Sequence, residues 1–169
     1  MNYKPIIIVA GEPNSIFFEI FIKIIKKKKI KSPIILICSK KLLLRQIKFF
    51  KSKIKFHEID FSKKEIKIKE LNKFNLINIE YSKKKLFEKI SNKSNKYLTK
   101  CFKVALEILK KKVSNKFING PISKKNFLNR NYIGITEYLA KKTKSKNVAM
   151  VIHNKLISVS TLTTQIPQI

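Results

Sequence analysis

Ile6-Ile7-Ile8-Val9-Ala10-Gly11-Glu12-Pro13-Asn14-Ser15 is the stretch that decides how this chain folds. Five apolar residues in an unbroken run, rich in β-branched side chains, predict a strand buried on both faces, because a strand with one wet face would alternate. Gly11 to Asn14 has the chemistry of a turn. Ser15 is placed to cap a following helix, and Glu19 lies early in it, where negative charge suits the helix dipole. Over residues 16–29 the apolar side chains leave only a narrow polar stripe at Glu19, Lys23, Lys26 and Lys27. That is a helical period carrying one i,i+4 Glu–Lys pair. The pattern then repeats. Pro33 opens a second buried run, Ile34-Ile35-Leu36-Ile37-Cys38, and Ser39 precedes a basic amphipathic helix reaching about residue 51. Strand, helix, strand, helix at short intervals predicts an α/β fold with a parallel sheet covered by helices.

Further along, Ile54, Phe56 and Glu58 alternate with Lys55 and His57, which fits a short strand. Ile66-Lys67-Ile68-Lys69 and Leu76-Ile77-Asn78-Ile79 fit two more. A long helix is expected over residues 95–113, with Leu98, Cys101, Phe102, Ala105, Leu106 and Leu109 along one face. Phe117-Ile118-Asn119 is a brief strand running into Gly120-Pro121. Short helical pieces are expected at 124–129 and 136–142. Two strands, 148–152 and 156–160, joined by a tight turn at His153-Asn154-Lys155, read as a hairpin.

The 169 residues are 44% hydrophobic with a mean hydropathy of -0.15, which describes a globular chain with enough length for a sizeable core. No apolar run approaches the ~18 residues of a membrane span, and residues 1–4 lack a signal-peptide layout. A cytoplasmic location is expected. Cys38 and Cys101 sit in apolar segments and read as buried free thiols. The net charge of +29 would ordinarily point to nucleic acid or an anionic surface. Nearly all of it is Lys, however, with Arg only at 45 and 130, so bidentate phosphate and guanine contacts are scarce. Abundant Lys, Ile, Asn and Phe beside scarce Gly, Ala and Pro match an AT-rich coding bias. Weak, salt-sensitive binding to polyanions follows in either case.

Two turns could carry chemistry. Gly11-Glu12-Pro13 has the strand–turn–helix context of a phosphate loop, but not the repeated glycines of one, and a plain βα turn is the favoured reading. Asn119-Gly120-Pro121-Ile122-Ser123-Lys124 adds a hydroxyl and a cation to a turn where Gly permits close approach. A helix-initiating turn accounts for the same residues. His57 and His153, the only histidines, form no metal motif, and no nucleophile motif is present.

Taken in order, Gly11-Glu12-Pro13, Asn119-Gly120-Pro121, Gly134-Ile135-Thr136-Glu137 and Thr163-Thr164-Gln165-Ile166-Pro167 resemble the 4-hydroxythreonine-4-phosphate dehydrogenase family of pyridoxal-phosphate biosynthesis. The resemblance implies a three-layer α/β/α fold like that of isocitrate and isopropylmalate dehydrogenases, here incomplete. It divides the chain into a partial first lobe over 1–115 and the start of a truncated second lobe over 116–169. It implies NAD or NADP, a divalent metal, a phosphorylated small-molecule substrate and a homodimer. The family's Gly-Glu/Asp-Pro turn maps onto Gly11, Glu12 and Pro13. Its Thr-Gly/Ala-Pro turn and following Lys map onto Gly120, Pro121 and Lys124. The substrate-contacting His and Thr of its Gly-His-Thr-Glu segment fall at Ile135 and Thr136. The first metal-ligating His falls at Gln165. With Ile135 and Gln165 in place of two histidines, and the family's later half beyond residue 169, impaired or absent activity is expected, the missing half being a possible separate product. A related dehydrogenase of phosphorylated threonate or erythronate and a non-catalytic polyanion-binding remnant are the competing readings.

Overall fold

The structure is a computed structural model that describes residues 3–27, 30–61, 68, 74–82, 88–128 and 131–160. The opening run forms strand β1 (Ile6–Val9), followed by helix α1 (Phe17–Lys27), strand β2 (Ile34–Cys38) and helix α2 (Lys40–Phe49). Next come β3 (Phe56–Glu58), β4 (Phe74–Asn78), α3 (Asn95–Lys110) and β5 (Lys116–Asn119). The five strands make one sheet in the order β3-β4-β2-β1-β5, and every pairing is parallel. The alternation expected at 66–69 lies largely outside the described residues.

The pleat divides the core into two layers. Ile8, Ala10, Leu36, Phe74 and Leu76 face one way and pack with Phe18 and Phe21 of α1 and Leu42 and Leu43 of α2. Ile7, Val9, Ile35, Ile37 and Ile77, all buried, alternate with them and so face the other way. That second layer meets α3, which packs on β1 and β2. Handedness explains the arrangement. The crossover from β1 through α1 to β2 runs in one direction along the sheet. The crossover from β4 through α3 to β5 runs back past β2 and β1 in the other. Right-handed crossovers in opposite directions put their helices on opposite faces. The result is the expected α/β/α sandwich.

Local chemistry sets the element ends. Ser39 Oγ accepts the backbone N–H of Leu42 at 3.4 Å and caps α2. In α3 the buried face runs through Leu98, Cys101, Phe102, Ala105 and Ile108. Leu106 and Leu109, expected on it, are only half-buried. The sheet contacts lie nearer Ile108 than the sequence pattern suggested, a rotation that periodicity alone does not fix.

The chain separates into compact units at Met1–Phe127 and Leu128–Ile169. Residues 116–127, assigned from the sequence to the second lobe, lie in the first unit, because β5 pairs with β1 along Ile6↔Lys116 to Val9↔Asn119. The second unit contains α4 (Ile135–Thr143) and a hairpin of β6 (Val151–His153) and β7 (Ser158–Ser160). The hairpin register pairs Ile152 with Val159. Its turn is set by Asn154, whose Oδ1 accepts the N–H groups of Leu156 at 2.7 Å and Ile157 at 3.0 Å. Both strands are shorter than the sequence pattern implied, and both are exposed.

Candidate functional site

The sheet's topology marks one place before any residue is considered. The crossover leaving β1 runs one way along the sheet and the crossover arriving at β5 runs the other, and in open α/β sheets such a switch point opens a crevice at the carboxyl ends of the strands. The two motifs singled out from the sequence both end up there, more than a hundred residues apart in the chain. Gly11-Glu12-Pro13 leaves the end of β1, and Gly120-Pro121 leaves the end of β5. Backbone bonds tie them together. Gly120 N donates to Val9 O at 2.7 Å, and Glu12 N donates to Pro121 O at 2.8 Å.

The glycines are explained by this contact. Gly11 has a φ of +79°, and a Cβ there would lie 2.3 Å from Pro121 O. A Cβ on Gly120 would lie 2.1 Å from Ala10 O and 2.9 Å from the Phe17 ring. Each glycine therefore lets one turn press on the other. The approach they permit is backbone to backbone, which favours the turn explanation over a cradle open to phosphate.

Glu12 is the unexpected residue. The sequence placed it only in a turn, with no sign that it would be buried, and it is 1% exposed. Ser94 Oγ donates to its Oε2 at 2.8 Å, and the backbone N–H of Ser123 also bonds to the carboxylate. Burial raises its pKa above the ordinary 4.5, and the two hydrogen bonds oppose that shift without cancelling it. One carboxylate thus links the end of β1, the 3-10 turn at Asn92–Ser94 that starts α3, and the turn after β5. Among the described residues its Oε1 has no hydrogen-bond partner, and neither do the buried oxygens Asn14 Oδ1 and Asn95 Oδ1. Asn95 Nδ2 donates to Asn126 O at 2.7 Å, and Asn126 donates from its backbone N to Ser123 Oγ at 3.1 Å. Ser94, Asn95 and Asn126 carried no signal in the sequence. Ser94 lies 82 residues from Glu12, so no local spacing could have joined them.

The other candidates are placed as follows. Pro121 and Lys124 are exposed, and Lys124 begins a single π-helical turn, Lys124–Leu128. Ile135 and Thr136 open α4 in the second unit, half-buried, with Gly134 at the N-cap. Gln165 lies outside the described residues. His57 lies in β3, and His153 is exposed with its Nδ1 2.6 Å from Ser158 Oγ. Cys38 and Cys101 are free and buried; burial pushes the Cys101 thiol up to about 12, so it stays protonated and unreactive. The residues present do not fit a divalent metal: among those described, no three His, Cys, Asp or Glu side chains gather to hold one. No described helix is long and apolar enough to cross a membrane.

A doubly wound parallel sheet with helices on both faces, its two signature turns joined at the switch point, places this protein in the isocitrate/isopropylmalate dehydrogenase-like class of α/β/α folds. The model of the family described as pyridoxal phosphate biosynthetic protein PdxA matches residues 29–168, and the chain belongs to that family. No curated protein matches it. A 4-hydroxythreonine-4-phosphate dehydrogenase structure from Klebsiella pneumoniae is similar at a TM-score of 0.77 and 20% identity, over 93% of this chain and 50% of that one. Another, from Burkholderia phymatum, gives 0.76 and 19% over 94% and 49%. A structure named as a putative enzyme of the same kind, from Salmonella typhimurium, gives 0.74 and 20% over 93% and 50%. The chain thus spans about half the length of these structures.

Proposed function

We propose that this chain carries the first-lobe share of a dehydrogenase that oxidises 4-phosphohydroxy-L-threonine with NAD+ or NADP+ in the cytoplasm, as a homodimer. The observation that carries the reading is the junction of the Gly11-Glu12-Pro13 and Gly120-Pro121 turns at the switch point, in a chain of the pyridoxal phosphate biosynthetic family. When bound, a nicotinamide would supply the hydride acceptor for oxidation of the substrate hydroxyl to a ketone, and the resulting β-keto acid would lose its carboxylate as carbon dioxide. This chain's own part is narrower. Glu12, Asn14 and Asn95 each keep a buried oxygen without a partner among the described residues, and these would become acceptors for the hydroxyl and amide donors of a nucleotide if the junction opened to admit it. The Thr136 hydroxyl offers a hydrogen bond to the phosphorylated substrate, and the Lys124 ammonium offers an exposed positive charge.

Two features make turnover by this chain alone weak or absent. Ile135 cannot hydrogen-bond where the family has an imidazole. Gln165 offers a neutral amide oxygen where the family has a metal-ligating imidazole, and no step is assigned to a metal here. Titration calorimetry with 4-phosphohydroxy-L-threonine and, separately, NAD+ tests the reading. Measurable binding of either, weakened about tenfold by Thr136→Val for the substrate or by Glu12→Ala for the nucleotide, supports it. Absence of binding for both overturns it.

A further inference from the structure

The outward face of α3 carries Lys96, Lys100, Lys103 and Lys110, all exposed. At 3.6 residues per turn these four fall within an arc of about 80° and span about 21 Å along the helix. The arc lies opposite the buried face of Leu98, Cys101, Ala105 and Ile108. Glu107 is the only carboxylate on it. The ion pairs found among the described residues lie elsewhere, joining Lys23 to Glu19, Lys40 to Glu58 and Lys41 to Glu80. Lys23 of α1 and Lys40 and Lys41 of α2 are paired in this way, whereas Lys26, Lys27 and Lys48 are not, and the four α3 lysines have no carboxylate within ion-pair distance among the described residues; what sets the α3 row apart is four cations on one narrow arc. Like charges three and four residues apart repel one another, so the row opposes the helix that carries it.

We propose that this row binds the phosphate backbone of duplex nucleic acid without reading its bases. The argument is charge complementarity with geometry. A straight row of cations with a spacing of several ångströms lies well along a phosphate surface, and binding releases the counterions condensed there. Base readout is disfavoured because the face has no Arg. Single-strand recognition relies on aromatic platforms for stacking, and the two aromatics of α3, Tyr97 and Phe102, are both buried. This activity goes beyond the dehydrogenase reading and does not depend on it.

The test separates a localised surface from diffuse net charge. Binding of the full chain to a mixed-sequence DNA duplex of about 20 base pairs is followed by fluorescence anisotropy from about 50 to 200 mM KCl. A variant with Lys96, Lys100, Lys103 and Lys110 all changed to Gln is compared with one in which Lys26, Lys27, Lys31 and Lys48, exposed in or beside α1 and α2, are changed to Gln. Both lose four charges, and Gln has nearly the helix propensity of Lys. The α3 variant is expected to bind at least about tenfold more weakly and to flatten the log–log salt slope by about 3 to 4, while the control changes the slope by less than about 1. Equal losses in the two variants, or no binding by the unaltered chain at any of these salt concentrations, overturn the proposal. Lysine acetylation footprinting of the unaltered chain needs no variant. The duplex should protect the four α3 lysines and leave the four control lysines reactive; uniform protection overturns the proposal.

Discussion

Glu12 shows what one residue does in this fold. It is a buried carboxylate with no ion pair among the described residues, in a chain of net charge +29. Because its pKa is raised in the folded state, the native protein holds that proton more tightly than the unfolded chain does. As pH rises from 4.5 through the raised value, the native state must accept a buried charge and loses stability. Glu12→Gln keeps an acceptor for Ser94 or Ser123 and removes the charge. Its melting temperature, measured against the unaltered chain, should gain ground as pH rises above 4.5 and level off once the pH has passed the raised value. A difference that stays constant with pH would contradict this account. Glu12→Ala instead leaves the Ser123 N–H without its carboxylate acceptor and the Ser94 hydroxyl with Ser91 O alone, and should cost about 1–3 kcal/mol in urea titration. Gly120→Ala should cost about 3 kcal/mol or more, since its Cβ meets backbone that cannot swing aside.

At the scale of elements, the two sheets should respond differently to substitution. Leu36 lies in the middle of β2, with no exposed surface, between β1 and β4. Leu36→Ala should cost about 2–5 kcal/mol, the usual toll of a cavity in a packed core. In the hairpin, Ile152 is 61% exposed and its cross-strand partner Val159 is 53% exposed. Ile152→Thr should leave stability within about 0.5 kcal/mol of the parent, because little apolar surface leaves water there. The same change should reduce light scattering on heating, since uncovered apolar strand edges are templates for association. Scattering that is unchanged by Ile152→Thr would show that the hairpin is not the sticky element.

For the whole molecule, the expectation concerns catalysis. Losing a single preorganised electrostatic contact to a developing charge lowers a rate by about 100- to 1,000-fold. On the proposed reading, Ile135 and Gln165 each stand where the family has a functional imidazole. The chain alone should therefore give no measurable NADH or NADPH from 4-phosphohydroxy-L-threonine. Substantial nucleotide reduction that a chelator abolishes would show that these substitutions do not impair the site. If a polypeptide supplying the remaining half of the related structures is co-expressed, Ile135→His together with Gln165→His should raise whatever rate appears.

The sequence by itself determined the parallel α/β architecture. Unbroken apolar runs rich in β-branched residues at 6–9 and 34–38 and intervening helical periods allow little else, and the ordered short motifs carried the family. Strand order, the reach of the first unit to Phe127 and the rotation of α3 onto Ile108 came only from tertiary structure. So did the fate of Glu12. A Gly-Glu-Pro turn read alone gives no sign that its Glu will be buried, and that burial depends on Ser94 and Ser123, which the crossover through α3 brings to it from far along the chain. Local periodicity encodes which face of an element is apolar. It does not encode which distant backbone will cover a polar group, because that is settled by how the strands order themselves and by the handedness of the crossovers between them.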